Sequence, residues 1–76
     1  MKTKVSEIKI KNNLIGMRKK KKLSRAKIAE LCGISQGAYF AIEMGRSIPN
    51  LKTAYAISKA LGVKLEKLFY ANVYEK

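Results

Sequence analysis

Histidine, tryptophan and aspartate are absent from this chain of 76 residues, and cysteine and proline occur once each. Without histidine or aspartate, and with one cysteine, no acid–base pair, paired nucleophile or metal-ligand set can be assembled. An enzyme, a metal site and a cofactor are therefore not expected. Cys32 cannot close an internal disulfide, and neither a secretory signal nor an apolar run of membrane length is present. The expectation is a reducing cytoplasm and no membrane partner. Cys32 falls on the apolar face of its segment and reads as a small core residue. Acidic residues are also scarce.

Against five glutamates stand 17 lysines and arginines, for a formal charge of +12 and a pI near 10.1. The excess is uneven. Residues 1–27 carry eleven basic side chains and only Glu7, whereas the remaining 49 carry six against four. Such a field attracts polyanions, nucleic acid first among them. The blander reading is a lysine-rich solvated face that keeps the protein soluble. The 47% apolar content is enough for one small core, and a chain of this size is a natural candidate for dimerisation.

The stretch that organises the chain is Arg25 to Met44, RAKIAELCGISQGAYFAIEM. Ile28, Ala29 and Cys32 form one apolar set with helical spacing, and Ile34, Ala38, Tyr39 and Ile42 form a second. Gly33 between them tolerates a positive φ, and Ser35 is a good cap for the second helix. A break this short forces the two helices to pack steeply, with Ala29 allowing close approach. That is the logic of a helix-turn-helix, whose second helix is offered to the DNA major groove.

Around this centre, residues 1–11 alternate through Val5, Ile8 and Ile10 and read in two ways. They form either a short strand, paired with the tail 68–76, or a basic arm that orders only on DNA. Residues 12–22 read as a helix capped by Asn12 or Asn13, with Leu14 and Met17 inward, Ile15 beside them and Lys21 inward through its stem. Gly16 there suggests close packing, since it weakens a helix by about 1 kcal/mol relative to alanine. Lys19 to Lys22 gather at the helix's negative end. Ser24 caps the next helix, whose start, with Arg25, is a ready phosphate site. Gly45 reads as a C-cap before the loop 45–50, and Pro49 stops the helix there. Residues 50–61 form a fourth helix with Leu51, Ala54, Ile57 and Leu61 inward, closed by Gly62. Val63, Leu65, Leu68 and Phe69 supply a short fifth.

These motifs, in order, resemble the lambda-repressor-like helix-turn-helix family of the Cro/C1 or XRE type. The resemblance runs from about Asn13 to Phe69. It rests on Leu14 to Arg18, Leu23-Ser24, Ile28-Ala29-Glu30 and Gly33-Ile34-Ser35-Gln36. It continues through Ile42-Glu43-Met44-Gly45-Arg46, Pro49-Asn50-Leu51, Ala60-Leu61-Gly62-Val63 and Leu68-Phe69. Each motif alone is weak; the series at these spacings is specific. The fold implied is all-α: a compact five-helix DNA-binding domain over residues 12–70, with a basic segment 1–11 and a tail 71–76. A two-stranded ribbon from the terminal segments remains the alternative to a free arm.

The resemblance further implies that the third helix, about residues 35–44, is the recognition helix, and that Arg18 pairs with Glu43. That pair is sensible on its own terms, since Glu43 follows core residue Ile42 in an acid-poor chain and needs a partner. Gln36 matches the family's base-reading glutamine, whose amide can bond adenine N6 and N7 together. Ser24 belongs to the phosphate site at the second helix's start, and Arg25, Ser35, Arg46 and Ser47 match phosphate-holding positions, through side chains or helix-end amides.

The chain departs from the pattern at the outward positions. Gly37 and Ala41 stand where relatives are often polar or basic, so they offer close backbone approach or a thymine-methyl contact in place of hydrogen bonds. Phe40 replaces a small polar residue and reads either as a thymine contact or as an apolar patch packed on the subunit. Tyr39 replaces an aliphatic residue and reads as core, and Arg25 stands where glutamine is common. Base readout is then sparse, with phosphate contact and DNA shape carrying more.

The function implied is a sequence-specific transcriptional regulator of double-stranded DNA, acting as a homodimeric repressor on a two-fold operator. It resembles the stand-alone repressors of phages, mobile elements and bacterial genomes. Phe69, Tyr70, Val73 and Tyr74 are the apolar surplus expected at the dimer contact. The alternative is an antitoxin-type interaction protein, with a toxin as protein partner and DNA binding secondary.

Overall fold

The computed structural model describes residues 9–72. In chain order the elements are β1 (Lys9–Asn12), α1 (Leu14–Lys20), α2 (Arg25–Cys32), α3 (Gln36–Glu43), α4 (Leu51–Leu61), α5 (Leu65–Leu68) and β2 (Phe69–Asn72). Five helices and a two-stranded antiparallel ribbon make up the fold, so the strand-pairing alternative is the one the structure shows. Val5, Glu7, Ile8, Val73 and Tyr74 lie outside the described residues.

Local sequence sets the helix starts. The Ser24 and Ser35 hydroxyls each accept from the amide three residues on, Lys27 and Ala38, at 3.0 Å, and Asn50 Oδ1 accepts from Thr53 at 2.8 Å. The first helix differs from expectation: it begins at Leu14, whose amide donates to Asn12 Oδ1 at 3.0 Å from within β1. Asn13 occupies the cap position but makes no side-chain cap bond.

Four helix ends share one closing device, in which a residue with left-handed backbone lets the amide after it reach back five residues. The residues at that position are Lys22, Gly33, Gly45 and Gly62, with φ of 59°, 71°, 78° and 67°. The bonds are Leu23 to Arg18 at 3.1 Å, Ile34 to Ala29 at 3.0 Å, Arg46 to Ala41 at 2.8 Å and Val63 to Ser58 at 3.2 Å. Gly45 thus stands one place beyond the cap, which is Met44. Three of the four are glycine for the usual reason. Lys22 is the exception, with a side chain in a conformation that crowds its Cβ.

The core gathers Leu14, Ile28, Ala29, Tyr39, Ile42, Ile57, Leu61 and Leu68, each buried. Met17, Leu23, Cys32, Ile34, Val63 and Phe69 pack around it. α2 is the hub, in contact with both α3 and α4. Several expected core positions are outside it. Leu51 is 66% exposed because α4 has only just begun there, one residue past its cap. Ala38 is exposed because Tyr39 and Ile42 already fill the inner face of α3, and Ile15 and Lys21 point to solvent from α1. Gly16 meets nothing within 4 Å of a notional Cβ, so it serves no close packing.

The ribbon places Ile10 opposite Ala71 and Asn12 opposite Phe69 on one face, and Lys11 opposite Tyr70 on the other. Phe69 therefore belongs to β2, not to α5, and turns toward the core. Asn12 Nδ2 donates to the Ile42 carbonyl at 3.0 Å, which ties the ribbon to the last turn of α3.

Candidate nucleic-acid interface

The second apolar set ends at Ile42, and Glu43 follows it with its side chain sealed from solvent. Three groups converge on that carboxylate. Arg18 Nε donates to Oε2 and Arg25 Nε to Oε1, both at 2.7 Å, and the Tyr39 hydroxyl donates to Oε2 at 2.9 Å. Arg18 Nη1 also donates to the Leu23 carbonyl at 3.0 Å, tying the network to the α1–α2 turn. Burial pushes the Glu43 carboxyl up, but the bonds from Arg18, Arg25 and Tyr39 outweigh it and hold the group below the ordinary carboxylate range. The bond to Glu43 raises Arg18 in turn, and burial followed by that carboxylate raises the Tyr39 phenol. A buried cluster of this kind fixes orientation more than it adds net stability. Here it joins α1, α2 and α3.

The opposite side of α3 is open. Gln36 and Gly37 are exposed, and Phe40 and Ala41, one turn on, are half-buried on the same side. Gly37 has nothing within 4 Å of a notional Cβ. Of the two expectations for Phe40, the structure bears on packing against the subunit. Its ring lies on the subunit itself, but under two cations rather than in an apolar patch: Arg25 Cζ is 5.0 Å and Arg46 Cζ 5.9 Å from the ring centroid.

Of the expected phosphate positions, Ser24 and Ser35 are exposed at the starts of α2 and α3, where each hydroxyl already accepts a cap bond and retains its own proton to donate. The Arg46 and Ser47 amides are both committed to the Ala41 carbonyl, at 2.8 and 3.2 Å, so their side chains are what remains to meet a ligand. Arg25 has a double allegiance, with its Nε on Glu43 and its side chain still 42% exposed. Lysines 19–22, at the end of α1 and in the turn before Arg25, are all exposed.

Sequence reading missed the Arg25–Glu43 bond, the Tyr39–Glu43 bond and the arginines on Phe40. Tyr39 and Glu43 stand four apart on one helix, so their contact was open to inspection. Arg25 reaches Glu43 only through the crossing of α2 and α3, which no spacing encodes. Among the described residues no cluster of three His, Cys, Asp or Glu side chains exists, and no helix is long and apolar enough to cross a membrane.

A family model described as Helix-turn-helix matches residues 15–68. The chain belongs to the helix-turn-helix family, of the Cro/C1 or XRE type. That family is one of DNA-binding transcriptional regulators. An HTH-type transcriptional regulator of Methanocaldococcus jannaschii is 38% identical over 66 residues, covering 87% of this chain and 96% of the relative. The HTH-type transcriptional regulator YqaE of Bacillus subtilis is 41% identical over 64 residues, 84% of this chain but only 55% of its own length. Among solved structures, the restriction-modification controller protein C.AhdI from Aeromonas hydrophila superposes with a TM-score of 0.67 at 24% identity. That match covers 71% of this chain and 82% of the controller, and at this identity it speaks for the helix-turn-helix fold.

Proposed function

We propose that this helix-turn-helix protein is a sequence-specific repressor that binds a two-fold operator as a homodimer in the cytoplasm. The observation that carries the reading is the two-sided build of α3. One side is clamped by the Arg18–Glu43–Arg25–Tyr39 network; the other presents Gln36, Gly37 and Ala41 outward. A clamped helix reads a groove in one register. In this reading Gln36 bonds a base, Gly37 and Ala41 permit close approach, and Ser24, Arg25, Ser35, Arg46 and Ser47 hold phosphates.

Beside the expected tail residues, an apolar face next to the ribbon is available to the dimer contact. Ile48 and Leu51, 67% and 66% exposed, open onto a groove completed by Ile10, Pro49, Leu65 and Phe69. Among the described residues its lining holds no lysine or arginine, and Glu66 is the one charged residue there. Two copies that each carry +12 repel wherever basic surfaces meet, so a largely apolar face whose described lining carries no positive charge is where they can approach. Phe69 keeps its expected part here; Tyr70 lies on the other face of the ribbon. Repression follows by occluding a promoter.

Selection from random duplexes followed by footprinting tests the proposal. It expects a two-fold symmetric sequence with half-sites roughly 34 Å, one helical turn, apart. Recovery of no consensus would contradict it and turn attention to the antitoxin-type alternative and a protein partner.

A further inference from the structure

Phe40 raises a question that base reading does not answer. The ring is large, partly buried and beside the groove-facing side of α3, yet it is occupied. Arg25 from the start of α2 and Arg46 from the turn after α3 both lie within about 6 Å of its centroid, the range in which a guanidinium is drawn to an aromatic face. The two arginines come from different elements and meet on this one ring.

Each arginine is also held from behind. Arg25 Nε is bonded to Glu43 at 2.7 Å, while its terminal nitrogens make no hydrogen bond to any described residue. The Arg46 amide is bonded to the Ala41 carbonyl at 2.8 Å, which fixes its backbone to the end of α3. Arg25's guanidinium is thus held at Nε with its outer nitrogens free, whereas Arg46 is fixed only at its backbone, and the Phe40 ring is the contact that bears on its head group. The ring contacts both cations, and the Glu43 carboxylate balances the charge of Arg25. The result is a pair of guanidinium groups with donors to spare, set beside the exposed side of α3. A long side chain restrained before binding loses less freedom when it meets a phosphate.

We propose that Phe40 is a positioning residue: it holds Arg25 and Arg46 as a pair so that both grip the sugar–phosphate backbone of one duplex while α3 lies in the groove. The inference rests on the reading of α3 as the helix that enters DNA. It assigns Phe40 to affinity for the backbone rather than to the choice of base. Arginine, with its forked donors, suits phosphodiester oxygens.

The test is fluorescence anisotropy on the selected operator and on a scrambled duplex across a salt series. Wild type is compared with Phe40→Leu, Phe40→Tyr, Arg46→Gln and the Phe40→Leu/Arg46→Gln double variant, each checked for folding by circular dichroism. Phe40→Leu should weaken both duplexes alike, by about five- to twentyfold, the scale of losing cation–ring contacts. Its log–log salt slope should become shallower by roughly one phosphate contact. Phe40→Tyr, which keeps the aromatic face, should bind as wild type does. With Arg46→Gln already present, Phe40→Leu should cost much less than it does alone. If the leucine variant fails to fold, Phe40→Met takes its place in the same comparison.

Wild-type affinity and salt slope in the folded Leu or Met variant would overturn the proposal. So would a loss confined to the operator, or an equal loss with and without Arg46. A wild type that binds neither duplex would overturn the underlying DNA-binding reading instead, an outcome distinct from all three.

Discussion

Arg18 and Glu43 stand 25 residues apart in sequence and 2.7 Å apart in space, and the carboxylate between α1 and α3 is closed to solvent. Arg25 and Tyr39 complete its coordination from α2 and from α3 itself. α3 is thereby fixed from behind by a buried charge.

Replacing Glu43 by glutamine leaves Arg18 a buried cation without its counter-ion. The expected cost is about 3–5 kcal/mol, enough to threaten a domain whose whole stability is on the order of 5–15 kcal/mol. The pH dependence has a definite sign. Glu43 titrates below its ordinary value of 4.5 in the folded protein, so its stabilising contribution is complete above that pH and lost as pH falls below it. Urea melts of Glu43→Gln and wild type should differ most at pH 7 and converge on acidification. A gap that widens in acid would contradict the network's role.

Lys22 closes α1 with a φ of 59°, where the other three helix ends use glycine. Lys22→Gly should relieve strain worth about 1–2 kcal/mol, less whatever glycine gains in the unfolded chain. A net gain near 1 kcal/mol corresponds to a rise in Tm of roughly 4–8 °C for a domain of this size. Differential scanning calorimetry reads it directly; a lower Tm would mean that the lysine stem makes compensating contacts.

Gln36 is exposed one residue beyond the cap of α3, so Gln36→Ala should leave the melting curve unchanged. Operator affinity should fall by about 1–3 kcal/mol, at least fivefold, with no change on a scrambled duplex and none in salt slope. An equal loss on both duplexes would assign Gln36 to the backbone.

Leu51 tests the dimer face. At 66% exposure, Leu51→Glu should change monomer stability by no more than about 0.5 kcal/mol. In analytical ultracentrifugation it should turn a concentration-dependent dimer into a monomer, and operator binding should weaken in step. A variant that remains dimeric would move the contact elsewhere.

Much of this architecture is legible in the residues alone. Ser24, Ser35 and Asn50 announce three helix starts, Gly33 and Gly62 two ends, and the spacing of Ile28 and Ala29 and that of Tyr39 and Ile42 the inner faces of α2 and α3, because each of these signals is local. The ribbon was half legible: alternation around Ile10 suggested a strand, but its partner had to come from sixty residues away. Leu51 and Ala38 misled for different reasons: Leu51 stands at the very start of α4, and Ala38 meets an inner face already filled by Tyr39 and Ile42. Period alone cannot say how far a face is covered, and near a helix start a residue in phase with the core still projects past it. The neighbours of Glu43 and Phe40 lay deeper, since Arg25 meets both only once α2 crosses α3. At Phe40 composition pointed to apolar contact, whereas the fold supplies two cations.

Fluorescence anisotropy of the purified protein on its own upstream DNA, beside a scrambled duplex and across a salt series, decides whether α3 reads sequence and not merely charge. Binding to the native duplex should be at least ~10³-fold tighter at physiological salt. Equal affinities that fall together as salt rises would contradict it, and would leave the +12 charge acting as a general polyanion binder.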